Sequence, residues 1–223
     1  DPAKELREGI EASLKRIGTD YVDVFYLHGV REEQYHSACD QLLPVLEEMR
    51  QEGKVRFIGV TEAFIRDPQH AMAATAVSHD HWDVMMIGFN MLNQSARKRI
   101  FPATLSKHIG TMGMFAVRKA LSRPAHLDKL LNELTEAGQV ESNVVKAEER
   151  LSFLTEDGKS ATIPEAAYRY CRHEPGLDVI LTGTGSIEHL EENVASLLKG
   201  PLDVNDTARL RDMFGMVDSV SGN

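Results

Sequence analysis

Residues 21–30 read YVDVFYLHGV. Val22, Val24, Phe25, Tyr26 and Leu27 are β-branched, aromatic or aliphatic, so residues 21–27 are expected to form a strand whose hydrophobicity is near continuous. The run stops on His28 and Gly29, a polar ring followed by the residue that turns most freely. Ahead of the strand, Leu6, Ile10, Leu14 and Ile17 fall at helical spacing, and Gly18 sits where a helix C-terminal glycine belongs. Behind it, Leu42, Leu43, Leu46 and Met49 line a second helix ending near Gly53, and VRFIGV at 55–60 is a second strand. One helix–strand unit has been followed by another.

The alternation continues. A polar break at 66–69 leads into a helix through about Val77, then DVMMIGF at 83–89, a helix near 94–107, and TMGMFAV at 111–117. The pattern then loosens into a helix at 127–137 and a polar, turn-rich insertion at 139–160, within a variable region of about 119–160. Thr162 and Glu165 form a capping box, with Pro164 in the first turn of a helix through about Arg172. Residues 178–182 are a short buried strand, and Ile187, Leu190, Val194 and Leu197 face one side of the helix that follows.

Five hydrophobic strands separated by helices describe parallel βα units. An open doubly wound sheet and a (β/α)8 barrel both fit this pattern, and in both folds function gathers at the carboxyl ends of the strands. Those ends read LHG, GVTE, GFN, FAVR and TGTGS. A dinucleotide fingerprint would place G-x-G-x-x-G between the first strand and its helix. The glycine pair present, Gly183 and Gly185, is on the last unit instead.

Composition narrows the function. The chain has 223 residues, 42% of them hydrophobic, enough for one substantial core. A formal charge of −9 argues against a sequence-independent nucleic-acid binder, whose affinity comes from cations on phosphates. Cys39 and Cys171, the two cysteines, lie within expected helices and read as free thiols of a reducing compartment, the cytoplasm. No apolar run approaches the roughly 20 residues of a membrane span.

Three segments carry a resemblance: EASLKRIGTDYVDVFYLH, EEMRQEGKVRFIGVTE and GTGSIEHLEENV. In that order and spacing they resemble the aldo-keto reductase superfamily, closely over residues 6–62 and 161–198 and more loosely over 84–118. The resemblance implies a (β/α)8 barrel, present here as about five βα units of a single domain over residues 1–223. It implies hydride transfer between NADP or NAD and an aldehyde, ketone or alcohol. His28 matches the histidine of the family's Asp, Tyr, Lys and His tetrad, and such an imidazole can donate a hydrogen bond to the substrate oxygen. The other three residues belong to strands that precede this segment in the family. The chain is therefore expected to lack the first three units and, taken alone, to be inactive. Asp20 and Tyr21 sit at the amino end of their strand, the wrong end for catalysis.

For the cofactor, the resemblance places Thr61, Glu62 and Met86 where the family has the Ser, Asn and Gln that hold the nicotinamide carboxamide. Met114 or Phe115 stands near the family's stacking aromatic ring; both also suit a core. Glu62 offers a carboxylate in place of an amide, and Met86 offers no useful hydrogen bond. Gly183 and His189 stand where the family has cations for the adenosine 2′-phosphate, and Glu192 and Asn193 match its adenine-contacting pair. Strict NADPH preference is thus not expected.

The turn Thr182–Ser186 also speaks without the family. Gly183 and Gly185 let a phosphate approach the backbone, Thr184 and Ser186 add hydroxyls, and the next helix points its amino end at the ligand. A left-handed turn with Ser186 as a helix N-cap would use the same residues. HDHW at 79–82 is not expected to bind metal, because histidines two apart on a helix diverge. Two functions stand: a carbonyl oxidoreductase, or a non-catalytic nucleotide-binding or regulatory barrel.

Overall fold

Asp1 starts the first helix by accepting the Ala3 amide at 3.1 Å, with Pro2 in the first turn. The computed structural model describes residues 1–141 and 151–223. Helix α1 (Pro2–Ile17) ends at Gly18, whose N–H donates to the Leu14 carbonyl at 2.9 Å. There follow β1 (Val22–Val30), α2 (Tyr35–Gln51), β2 (Val55–Glu62), α3 (Ala71–Ser78), β3 (Val84–Gly88), α4 (Ala96–Arg99), α5 (Phe101–Lys107) and β4 (Gly110–Met114). Then come α6 (Lys119–Ser122), α7 (Pro124–Glu136), α8 (Ile163–Arg172), β5 (Val179–Ile180), α9 (Ile187–Leu198) and α10 (Val204–Phe214).

The strands form one parallel sheet in the order β1-β2-β3-β4-β5. Each strand follows its neighbour in sequence, so every crossover is a single helix-bearing connection, as the alternation of hydrophobic periods requires. Ile58, Val60, Met85 and Ile87 are at most 1% exposed and pack under the helices. The alternate residues form the other face. Thr61, Met86, Met112 and Val179 lie in register across four strands, and Phe57 and Val179 on this face remain about half exposed. Helices therefore cover one side, as in the wall of a barrel, and β1 and β5 each have one strand neighbour. This open, five-unit barrel segment is the architecture the strand ends favoured.

Several local expectations change. Phe115 has φ 67°, which stops β4 at Met114, three residues earlier than the hydrophobic run suggests. Ile187, Leu190 and Val194 of α9 are exposed, whereas Ser196 is buried and Leu197 partly buried. α9 meets α8 through a narrow stripe, because it follows the edge strand β5 and no described element lies beyond it. Of the polar run EAGQVESNVVKAEER, residues 142–150 lie outside the described residues, but Val140 ahead of them is 4% exposed. Leu151, Phe153 and Leu154 after them are also buried, so these apolar residues of the 139–160 region belong to the core. His79 and His81 follow α3 in irregular chain, and their rings stack at 5.5 Å where helical spacing would have separated them. The capping box does form: Thr162 Oγ1 accepts the Glu165 amide at 3.2 Å.

Candidate active site

Because all five strands are parallel, their carboxyl ends bring His28, Thr61–Glu62, Gly88–Phe89, Phe115 and the 182–186 turn to one edge of the sheet. His28 ends the regular part of β1. Leu27 pairs with Val60 and Val30 with Glu62, so His28 and Gly29 together oppose the single residue Thr61. This is a β-bulge, and Gly29 takes the left-handed φ of 63° that it requires. His28 is exposed and lines a cleft of about 420 Å³ with Pro2 of α1 and with Gln34 and Ser37 at the start of α2, a cleft that none of Thr61, Glu62, Phe115 or the 182–186 turn lines.

Thr61 and Glu62 are both buried, and their polar atoms are engaged within the protein. The Thr61 hydroxyl accepts the Gly29 amide at 2.6 Å. Glu62 receives the Gly88 amide at 2.7 Å, and its carboxylate lies 2.9 and 3.0 Å from His70 Nδ1. Burial pushes the Glu62 carboxyl above the usual range, and the His70 ring and Gly88 amide oppose that rise. His70 is brought inward by the start of α3. Asp67 accepts the Ala71 and Met72 amides at 2.9 Å each, and His70 itself has φ 63°.

His70 begins a column of flat groups across the strand ends. Phe64 stacks on His70 at 5.1 Å and on Phe115 at 5.7 Å, and the Arg118 guanidinium lies 4.4 Å from the Phe115 ring centre. Phe64 fits because Gly88 lacks a side chain: a Cβ there would lie 2.2 Å from the ring. Residues 217–223 cross the same edge. Asn90 and Asn93, both fully buried, donate to the Ser221 and Val220 carbonyls at 3.1 and 2.9 Å. Beneath β3, Arg97 binds Glu174 through two 2.5 Å hydrogen bonds and Tyr170 at 2.8 Å.

At the far edge of the sheet, the turn after β5 is preset. Thr184 Oγ1 accepts the Ser186 amide at 3.1 Å, and Ser186 Oγ accepts the His189 amide at 3.3 Å, making Ser186 the N-cap of α9. Neither glycine has a left-handed φ, and no atom lies within 4 Å of where a Cβ on Gly183 or Gly185 would stand. The backbone over the helix amino end is open to a phosphate. His189 and Glu192 are exposed on α9. Asn193 donates to Thr182 Oγ1 at 2.8 Å, which in turn meets Tyr168 Oη at 2.9 Å.

The two ends of this site thus differ in their fit to a dinucleotide. The 182–186 turn has an open backbone, hydroxyls and a twelve-residue helix behind it. At the opposite end Thr61 and Glu62 already have partners, Met86 and Met114 are apolar, and Phe115 is a partly buried ring. Sequence reading missed His70, Phe64, Arg118, Asn90 and Asn93. The pair of asparagines in GFNMLNQS was the available signal for the last two, but the His70–Glu62 contact depends on a left-handed residue that no local pattern marks.

Comparison with known proteins gives a consistent answer. The model for the "Aldo/keto reductase family" matches residues 2–213. Among curated proteins, the chain is 24% identical over 198 residues to the uncharacterized oxidoreductase YqkF of Bacillus subtilis, covering 87% of this chain and 61% of that one. It is 26% identical over 206 residues to L-galactose dehydrogenase of Arabidopsis thaliana, covering 87% and 58%. It is 23% identical over 215 residues to the NADH-specific methylglyoxal reductase of Escherichia coli, covering 94% and 64%. The chain therefore spans about 60% of the length of the first two relatives. Among solved structures, the holo form of aldo-keto reductase AKR11C1 from Bacillus halodurans superposes with a TM-score of 0.69 at 21% identity, covering 95% of this chain and 68% of that one. An aldo/keto reductase from Klebsiella pneumoniae in complex with NADP and acetate gives 0.64 at 19% identity, covering 96% and 66%.

Proposed function

The chain belongs to the aldo/keto reductase family, and from that premise we propose that it is the cofactor-binding and histidine-bearing part of an NAD(P)H-dependent oxidoreductase. Its substrates are aldehydes or ketones, or the corresponding alcohols in reverse. The observation that carries this reading is the common sheet edge that holds both His28 and the open turn at Gly183 and Gly185. Four strand spacings of about 4.8 Å separate β1 from β5, roughly 19 Å measured along the sheet, with the direct span shortened by the sheet's curvature.

When bound, a nicotinamide dinucleotide would supply the hydride. The chain's own residues do the remaining work in this proposal. Backbone amides at 183–186 and the amino end of α9 hold the phosphates, with Thr184 and Ser186 beside them. Glu192 and Asn193 flank the adenine. Phe115, backed by Phe64, presents an aromatic wall toward the reacting ring. His28 donates a hydrogen bond to the substrate oxygen and orients it for protonation. We place the Asp, Tyr and Lys that complete such a site outside these 223 residues. Thr61 and Glu62 enter this proposal as supports of the site, since their polar atoms already have partners.

Cofactor choice follows from the same turn. Gly183 and His189 stand where the family has cations, so NADH is proposed to bind nearly as well as NADPH. The relatives fall on both sides: the Escherichia coli enzyme is described as NADH-specific, and the Klebsiella structure contains NADP. Both cysteines are buried and free, which suits a reducing compartment such as the cytoplasm, and no described helix is long and apolar enough to cross a membrane.

The family match does not favour the second reading, a non-catalytic nucleotide-binding barrel. Two measurements separate the readings: sequencing of the coding region ahead of Asp1, and cofactor oxidation by the natural protein with a panel of carbonyl compounds. A strand ending in Asp-x-A-x-x-Y, another ending in Lys, and turnover support the enzyme. Cofactor binding without turnover of any carbonyl supports the module.

A further inference from the structure

The bulge at the end of β1 has a partner of matching size. His28 and Gly29 oppose only Thr61, so the ladder between Leu27/Val60 and Val30/Glu62 leaves one β1 amide without its regular strand partner. The Gly29 N–H finds the Thr61 hydroxyl at 2.6 Å, with Thr61 2% exposed. The imidazole of His28 is exposed and makes no hydrogen bond to any described residue. Nothing on the ring itself fixes its direction. What fixes it is the backbone at 28–29, held by the left-handed Gly29 and by Thr61.

We propose that Thr61 and Gly29 are positioning residues for His28: the hydroxyl staples the bulge, and the stapled bulge aims the imidazole at the site. The proposal rests on the functional reading above for what His28 does, but not for how it is held. A strand without the bulge would carry on its alternation past Leu27, and every later side chain would change faces. With the bulge, Val30 returns to the buried face, 8% exposed, while His28 keeps its place at the rim of the cleft. The next residue, Glu62, ties β2 to β3 through the Gly88 amide, so consecutive side chains of one strand end anchor both of its neighbours.

The test uses the natural protein with Thr61→Val, which removes the hydroxyl at nearly constant shape, Thr61→Ser, which restores it, and His28→Gln for reference. Amide exchange at Gly29 and the NMR signals of the His28 ring are read without any substrate. In Thr61→Val, Gly29 should exchange about tenfold faster or more as its hydrogen bond is lost, and the His28 ring signals should shift or broaden. Thr61→Ser should restore both. With cofactor and a carbonyl substrate, Thr61→Val should lower kcat roughly 10- to 100-fold, the usual effect of misplacing a reacting group by about 1 Å, and leave cofactor Kd unchanged. Unaltered Gly29 exchange and His28 signals in Thr61→Val would overturn the proposal. So would weakened cofactor binding with kcat intact, which would make Thr61 a cofactor contact. If Thr61→Val does not fold, the parent protein decides, since a Gly29 amide exchanging at an unprotected rate also overturns it. If His28→Gln alone leaves kcat intact, the functional reading fails, and the exchange and ring signals still report on the staple.

Discussion

His70 Nδ1 lies 2.9 Å from the Glu62 carboxylate, and neither side chain has any exposed surface. Burial raises the Glu62 carboxyl above its ordinary value, against the pull of His70 and the Gly88 amide, while Asp67 nearby adds to the rise. A carboxyl whose folded value exceeds its unfolded one contributes stability that is fully present below the unfolded value of about 4.3 and is lost as pH rises through the folded value. Urea denaturation of Glu62→Gln and the parent chain from pH 4 upward should therefore show the parent losing ground to the variant as pH increases. A difference independent of pH would mean that Glu62 titrates alike in both states. His70→Ala removes the ring's hydrogen bond to the buried Glu62 carboxyl and should cost about 1–3 kcal/mol, the penalty of leaving a buried polar group unsatisfied.

Gly88 has Phe64 lying directly over it. An alanine would place its Cβ 2.2 Å from the ring, so Phe64 must leave its stacks on His70 and Phe115. Gly88→Ala should destabilise by roughly 1–3 kcal/mol, the cost of overpacking a filled core. Phe64→Leu in the same background should recover part of the loss by freeing that space. Thermal melts of the two variants and the double mutant measure the coupling.

α9 presents Ile187 at 78% and Leu198 at 82% exposure, with Leu190 and Val194 between them at 45%, and Val179 of the edge strand β5 and Leu181 just after it are also exposed. A continuous apolar stripe next to an unpaired strand edge promotes association. The 223-residue chain expressed alone is expected to be self-associated or molten, and Ile187→Lys with Leu198→Lys should shift it toward monomer. Light scattering after gel filtration checks both statements. A monodisperse parent monomer with a cooperative melt would show that these surfaces need no cover.

His189 follows the open turn on an exposed position of α9. Substituting His189→Arg supplies a guanidinium for a 2′-phosphate and should favour NADPH over NADH by roughly 1–3 kcal/mol, the worth of a charge-assisted hydrogen bond. Fluorescence titration with both cofactors measures the ratio. Tight NADPH binding that ignores the substitution would locate the phosphate elsewhere.

The sequence made the sheet legible because its signals are local. Continuous apolar runs between amphipathic helices dictate parallel strands, and Thr162, Glu165 and Pro164 mark the start of α8. The same logic misjudged α9, whose apolar spacing is correct but whose face meets solvent among the described residues. Spacing reports amphipathicity and cannot report whether a partner element is present. Of the proposed site, the placement of His28 and the 183–186 turn at the carboxyl ends of their strands was readable from the sequence. The engagement of Thr61 and Glu62 was not, because it depends on the bulge at His28 and Gly29 and on the left-handed backbone of Gly29 and His70. Those long-range contacts give each of the two residues a backbone amide from a neighbouring strand end.

Steady-state oxidation of NADH and NADPH measures whether the protein is a carbonyl oxidoreductase in which His28 serves the substrate oxygen. The natural protein and its His28→Gln variant would be assayed with methylglyoxal and a series of aryl aldehydes and ketones. Turnover by the parent is expected, with a kcat at least about 100-fold lower in His28→Gln and cofactor Kd unchanged between the two. A parent protein that binds the cofactor but oxidises it with none of these carbonyls, or a His28→Gln variant with full kcat, would contradict it.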